Sequence, residues 1–171
     1  QEAVPIPLAW AGRGVLYSGG LKNGNGGALP GEGRRGRRSA MASLEEIRKR
    51  FQGDRFATQA LGGEIQEAEP GRAVCALKLE PRHMNENNVP MGGVVFTLAD
   101  LAFAVAANGY SDHTTVTQQA SLTFLAPAQG RALRAQARCL KEGRRTSLYQ
   151  VEVTDELGTL VAYGTINGYT L

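Results

Sequence analysis

An α+β domain, with an antiparallel sheet wrapped around one long central helix, is the fold that this 171-residue sequence predicts for residues 41–171. Three observations lead there. The segment Val94–Asn108 is apolar nearly all round, so a helix formed from it has to be buried on most sides. Two segments before it and about four after it carry the alternation, or the Thr, Val, Leu and Phe content, of strands. Short turn signals separate those strands at the spacing of antiparallel hairpins or a meander.

The residues before this region read differently. Ten of the 22 glycines fall within residues 1–40, and no hydrophobic period is present there. Six basic residues (Arg13, Lys22, Arg34, Arg35, Arg37 and Arg38) against two Glu give the stretch +4, while the other 13 basic and 14 acidic residues leave the body at −1. Such a composition buries too little apolar area to offset the entropy of ordering, so residues 1–40 are expected to be a disordered tail. Gln1 is not an initiator residue, whereas Met41-Ala42-Ser43 reads as a natural beginning. The tail is therefore expected to be upstream translated sequence, an expression remnant or part of a longer chain, and it has no ordered secretory signal. Arg34-Arg35-Gly36-Arg37-Arg38 is the one run suited to nucleic acid, but the near-neutral body gives it no matching footprint.

Composition also removes several function classes. No run of about 18 apolar residues exists, so no membrane span is expected. Cys75 and Cys139 lie far apart with no C-x-x-C pair, and two His are too few for a zinc site, so neither metal nor cofactor is expected. Each Cys sits in an alternating apolar segment, which suits free core thiols in a reducing, cytoplasmic setting. A disulfide between them stays open.

Element by element, Ser43 is an N-cap candidate and Glu46, three residues on, completes a capping box. Leu44, Ile47 and Phe51 then share one helical face, and the helix should end near Gly53. Strands are expected over Gln59–Glu69 and Arg72–Glu80, joined at Pro70-Gly71. Residues 81–90 are polar and irregular, with Pro90 at or just before the first turn of the apolar helix and Gly109 as its C′ residue. Four further strands follow over Thr114–Ala126, Arg131–Lys141, Ser147–Asp155 and Thr159–Tyr169. One apolar helix and a sheet that has to enclose it make the hotdog arrangement. A split βαβ ferredoxin-like fold is the competitor, and it would need a second helix near residues 130–145.

Chemistry concentrates around Asp100. It sits inside the apolar helix, where an ionised carboxylate is costly unless it is paired or hydrogen-bonded. Thr97, Asp100, Ala104 and Asn108 share a face, so a polar strip turned to solvent or to a partner subunit is an equal alternative. Gly92 and Gly93 at the helix start permit close backbone approach and leave unpaired N–H groups at the positive dipole end. Such donors suit a carbonyl and the oxyanion that develops from it, although simple packing of helix on sheet also explains two glycines.

The stretch His83-Met84-Asn85, then Met91-Gly92-Gly93-Val94-Val95-Phe96-Thr97-Leu98-Ala99-Asp100, resembles the signature of the PaaI-type hotdog thioesterases. In that family an Asn precedes His-Gly-Gly, and Leu-Ala-Asp follows in the central helix. The element order carries the resemblance from about Ser43 to Leu171. It implies hydrolysis of an acyl-CoA thioester, with Asp100 as general base or nucleophile. Asn85 would help to place water or the thioester, and the Gly92 N–H would polarise the carbonyl. Met91 and Gly93 would border the thioester, and Thr117 or Gln118 falls near a polar strand residue that assists the water.

Met91 departs from the family pattern, because Met cannot donate the hydrogen bond of the usual His. A non-catalytic acyl-CoA-binding module is therefore the second reading. The resemblance also implies a homodimer or homotetramer, with sheets joined edge to edge and CoA in a groove between subunits. Arg144 and Arg145, with Arg82 and Lys141, are candidates for its phosphates. Phe96, Phe103, Tyr110 and Phe124 are candidates for an acyl pocket, with core packing as the alternative. His83 reads as a loop hydrogen-bonder or a cleft residue, and His113 has no assigned role.

Overall fold

The computed structural model describes residues 42–171, so the tail expected over residues 1–40, with its Arg-rich run, lies outside the described residues. The first helix, α1, spans Leu44–Phe51. Its capping box forms as expected: the Ser43 amide donates to Glu46 Oε2 (2.7 Å) and the Glu46 amide donates to Ser43 Oγ (3.3 Å). Ile47, on the apolar stripe, is fully buried.

The expected strand over Gln59–Glu69 begins later than its pattern suggests. Arg55–Ala60 forms a π-helical turn, capped by Asp54 accepting from the Ala57 amide. That cap and the buried pair Ala57 and Leu61, four residues apart, follow helical spacing. Strand β1 starts only at Glu64 and runs to Glu69. It pairs with β2 (Arg72–Lys78) across a turn in which Gly71 takes φ 75°, a conformation that glycine adopts without strain. A 3-10 turn, Pro81–His83, leads to the long helix α2, Gly92–Asn108.

Four strands complete the fold: β3 (Thr115–Phe124), β4 (Ala132–Glu142), β5 (Thr146–Asp155) and β6 (Leu160–Thr170). The six form one antiparallel sheet in the order β1-β2-β4-β5-β6-β3. Residues 132–142 are thus an inner strand bonded to β2 and β5, not the crossover helix of the ferredoxin-like alternative.

The sheet curls around α2 and buries Val95, Leu98, Leu101, Phe103 and Val105 against it. Phe103 meets Tyr149 of β5 edge to face, with centroids 5.1 Å apart. Each such side chain gains roughly 1.5–3 kcal/mol on burial, which makes α2 the centre of the core. Gly109 ends the helix in a right-handed conformation, not the left-handed one of a C′ glycine. Space is what it supplies, because a Cβ there would lie 2.7 Å from Val105 O and 3.6 Å from Ile47 Cδ1.

The two edges of the sheet differ. Edge strand β1 carries Glu64, Glu67 and Glu69, which discourage further pairing. Edge strand β3 runs for ten residues with no charged residue and no proline. Cys75 is buried and Cys139 half-buried, both as free thiols, and burial pushes the Cys75 thiol up to about 12.

Candidate active site

The loop before α2 is built on His83. This side chain is buried, accepts from the Glu80 amide at Nδ1 (3.0 Å), and so carries its proton on Nε2, 2.9 Å from Leu61 O. Both ring nitrogens are committed to the backbone, so His83 is a fastener and not a cleft residue. Its carbonyl accepts from the Met91 amide (2.9 Å), and this ties the loop to the first turn of the helix. Between them Asn85 folds the loop on itself: its Oδ1 accepts from the Asn87 and Val89 amides at 2.9 and 3.3 Å. Asn88 closes the loop at φ 57°, in the left-handed region that Asn tolerates. The acceptor end of the Asn85 amide is thus used locally, and its Nδ2 end is the part suited to a ligand.

Met91 is the N-cap of α2 and gives no side-chain cap. The amides of Gly92 and Gly93 belong to the first turn, where the helix itself offers no acceptor, and both residues are exposed. The Met91 side chain lies along this turn, with its Cε 2.8 Å from where a Cβ on Gly93 would be. Gly93 therefore accommodates a close side chain, and the first turn presents bare N–H donors at the positive end of the dipole.

Asp100 lies eight residues further along the helix, about 12 Å at 1.5 Å rise per residue. Its side chain is half-buried, and its Oδ1 accepts from Thr117 Oγ1 at 2.6 Å. Asp100 and Asn108 of the polar strip turn to the edge strand β3, at a rim open to solvent where Thr117 is exposed. At the strip's far end Asn108 accepts from the Thr115 amide (2.7 Å) and donates to Thr115 O (3.0 Å). A bulge at Gln118 interrupts the β3–β6 ladder between Thr117 and Gln119 and leaves Thr117 facing the helix. Of the two strand candidates, Thr117 meets Asp100 and Gln118 is the extra, exposed residue of the bulge.

An apolar recess of about 340 Å³ opens beside the first turn of α2. Gly92 forms one wall, and Phe124 roofs it, with Cζ 3.5 Å from where a Gly92 Cβ would lie. Val95, Leu125, Pro127, Ala128 and Val161 supply much of the remainder. The β3–β4 loop is held from behind. Asp155, fully buried at the end of β5, accepts from the Gln129 and Gly130 amides on Oδ2 and from the Leu157 and Thr159 amides on Oδ1. Glu156 adds bonds from the Arg131 and Ala132 amides. Burial alone would raise the Asp155 carboxyl, but the bonds from Gln129, Thr159 and Gly130 outweigh it and hold it below the usual range.

Other candidates separate from this centre. Phe103 is core and the Tyr110 hydroxyl donates to Ala68 O, whereas Phe96 and Phe124 are exposed. Arg82 pairs with Glu80 beside the loop (3.0 Å). Arg144 and Arg145 sit in the β4–β5 turn, where Arg145 Nη1 donates to Tyr169 OH and Arg145 O accepts from Thr170. Phe124 opposes Ala162, seven residues from Tyr169 along β6, so within one chain these arginines lie about 23 Å from the recess. His113 is exposed in a loop.

Sequence reasoning missed Asp155 and the recess. Asp155 had a signal, because it shares the inward parity of Ser147, Tyr149, Val151 and Val153. The recess had none, since three separated segments form it.

Among the described residues no group of three or more His, Cys, Asp and Glu is placed to hold a metal ion, and no helix is long and apolar enough to cross a membrane. Residues 87–162 match the thioesterase superfamily. The chain is 31% identical over 105 residues to acyl-coenzyme A thioesterase PaaI of Escherichia coli, covering 61% of this chain and 74% of that protein. Against acyl-coenzyme A thioesterase 13 of Homo sapiens it is 29% identical over 133 residues, covering 74% of this chain and 93% of that protein. The structure of the E. coli PaaI protein from the phenylacetic acid degradation operon superposes with a TM-score of 0.66 at 25% identity, over 75% of this chain and 96% of that one. A Thermus thermophilus protein superposes with a TM-score of 0.62 at 33% identity, over 67% of this chain and 96% of that one. One helix wrapped by a six-stranded antiparallel sheet, and relatives of this kind, lead to one conclusion: the chain belongs to the thioesterase superfamily as a PaaI-like member with the hotdog fold.

Proposed function

We propose that this protein hydrolyses an acyl-CoA thioester to the free acid and CoA, with Asp100 as general base or nucleophile. The observation that carries the proposal is the Thr117–Asp100 hydrogen bond at the unprotected sheet edge, on the same helix as the bare Gly92 amide. Thr117 occupies Oδ1 and orients the carboxylate, which leaves Oδ2 for a water or for direct attack. As a base, Asp100 takes a proton from water while the oxygen attacks the thioester carbon. The Gly92 N–H receives the resulting oxyanion. The C–S bond then breaks, and the leaving thiolate recovers the proton from Asp100. Asn85, whose Oδ1 is engaged within the loop, would steady water or thioester through Nδ2.

Two protomers are needed for this. A carbonyl held by Gly92 cannot also touch Asp100 of the same chain, about 12 Å away along the helix. Antiparallel joining of two β3 edges brings Phe124 and Gly92 of one protomer beside the Thr117–Asp100 pair of the other. It also brings the partner's β4–β5 turn, with Arg144 and Arg145, to the same end, where CoA phosphates would lie. The apolar groups Met91, Phe96, Val116 and Phe124, exposed in the single chain, support burial by a partner. Homodimers are the unit this geometry requires, and homotetramers are compatible with it.

Thiol release from acyl-CoA by the wild type and by Asp100→Asn tests the reading. Loss of a positioned general base costs typically 10²–10⁴ in rate. An Asp100→Asn protein with unchanged turnover would rule out the role of Asp100. Met91, lying over the first turn without a donor to offer, favours one alternative, a module that binds acyl-CoA without cleaving it. Binding with no thiol release by the wild type would establish that alternative.

A further inference from the structure

The structure assigns the acyl tail of the substrate to the recess beside the first turn of α2, with Phe124 setting how long a tail it accepts. This rests on the thioesterase reading above. Gly92 belongs to both places: its amide is the proposed carbonyl donor, and its Cα side forms a wall of the recess. A thioester carbonyl seated on that amide therefore has its acyl carbon at the mouth of the recess.

The chemistry of the walls selects the class of acyl group. Pro90, Val95, Leu125, Pro127, Ala128 and Val161 are all apolar, and among the described residues no charged side chain lines the space. An uncharged hydrocarbon tail gains from burial there, whereas an ω-carboxylate would lose its water with nothing to replace it. The β3–β4 loop that carries several of the walls is also preformed, since the Gln129 and Gly130 amides bond to Asp155 and the Arg131 and Ala132 amides to Glu156.

Phe124 is the adjustable part. It opposes Ala162 on the inward face of β3, yet it is 52% exposed because it covers the helix end and not the core. Its ring stands over Gly92, with Cζ 3.5 Å from where a Gly92 Cβ would lie, so its size sets the room left for a tail.

The test is thiol release by the full chain over straight-chain acyl-CoAs from acetyl to dodecanoyl, together with ω-carboxyl acyl-CoAs of matched length. The wild type should gain about fourfold in kcat/KM per methylene, the rate equivalent of about 0.8 kcal/mol, until the recess is full. Phe124→Ala should move the break to longer chains and Ala128→Phe to shorter ones. Phe56→Ala, at an exposed residue that does not line the recess, should leave the break where it is. A break point identical in Phe124→Ala, Ala128→Phe and wild type would overturn the assignment, as it would if side chains of the second protomer filled the space. So would ω-carboxyl substrates turned over as fast as their apolar counterparts. A wild type that hydrolyses with no chain-length dependence removes the recess assignment alone. One that releases no thiol from any of these substrates removes the thioesterase reading as well.

Discussion

Asp100 reads, at the scale of single residues, as a charge that tolerates its apolar helix because it faces an edge strand. Thr117 donates a hydrogen bond that orients it (2.6 Å). Thr117→Val removes a hydrogen bond to a charged group, worth about 1.5–3 kcal/mol, so kcat/KM should fall at least about tenfold. Thr117→Ser should restore most of it. If the Val variant works as well as wild type, Thr117 does not position the carboxylate. The Asp was legible in sequence because a carboxylate inside an apolar run stands out by type alone. Its partner was uncertain by one residue, since strand parity passes through a bulge at Gln118 that no local pattern announces. Gly92 invites a cleaner probe than truncation. Met91 sits at φ −60°, ψ 140°, a conformation that accepts a following proline, and proline suits the first helical position. Gly92→Pro thus deletes the N–H while keeping the helix. Loss of that donor should cost about 10²–10³ in kcat with little change in far-UV circular dichroism, and an unaltered kcat would remove Gly92 from the site.

At the scale of elements, two buried polar anchors hold the flexible connections against the sheet. His83 fastens the loop before α2 to Leu61 and Glu80. His83→Ala leaves the Leu61 carbonyl buried and unpaired, at about 1–3 kcal/mol, and removes the bond to the part-buried Glu80 N–H, so denaturant melts should show a loss of at least about 1 kcal/mol. A loss below half that would mean that the loop stands without it. Asp155 does the same for the β3–β4 and β5–β6 turns, and its effect depends on pH. Its carboxyl is held below the ordinary 3.8, so its contribution is complete above that value and drains away as pH falls through 3.8 and the lower folded value. The thermal midpoint of the wild type should therefore drop from about pH 5 towards about pH 2, and the Asp155→Asn protein should show a flatter dependence from a lower start. Equal slopes would assign the acid sensitivity elsewhere. Most elements were legible, because α2 is apolar all round and β5 alternates without fault. The π-helical turn at Arg55–Ala60 was not: the cap from Asp54 and the buried Ala57 and Leu61 keep the chain coiled over Gln59 and Ala60, which the strand pattern includes.

For the whole molecule, one fact about length governs the rest. Gly92 and Asp100 stand on one straight helix, about 12 Å apart, and one thioester cannot reach both. On the proposed mechanism a second copy completes the site, and the uncharged β3 is the edge proposed to receive it. The contrast between the two edges was in the sequence, in the three Glu of β1 and the uncharged β3. Their positions at opposite ends of the sheet follow from strand order, which no local pattern reveals. The most direct test mixes two variants, Asp100→Asn and Gly92→Pro, each nearly inactive alone. After unfolding and refolding together, random pairing gives one intact site in each mixed dimer, so about a quarter of wild-type thiol release should return. A mixture that stays as inactive as its parts would contradict a site shared between two chains.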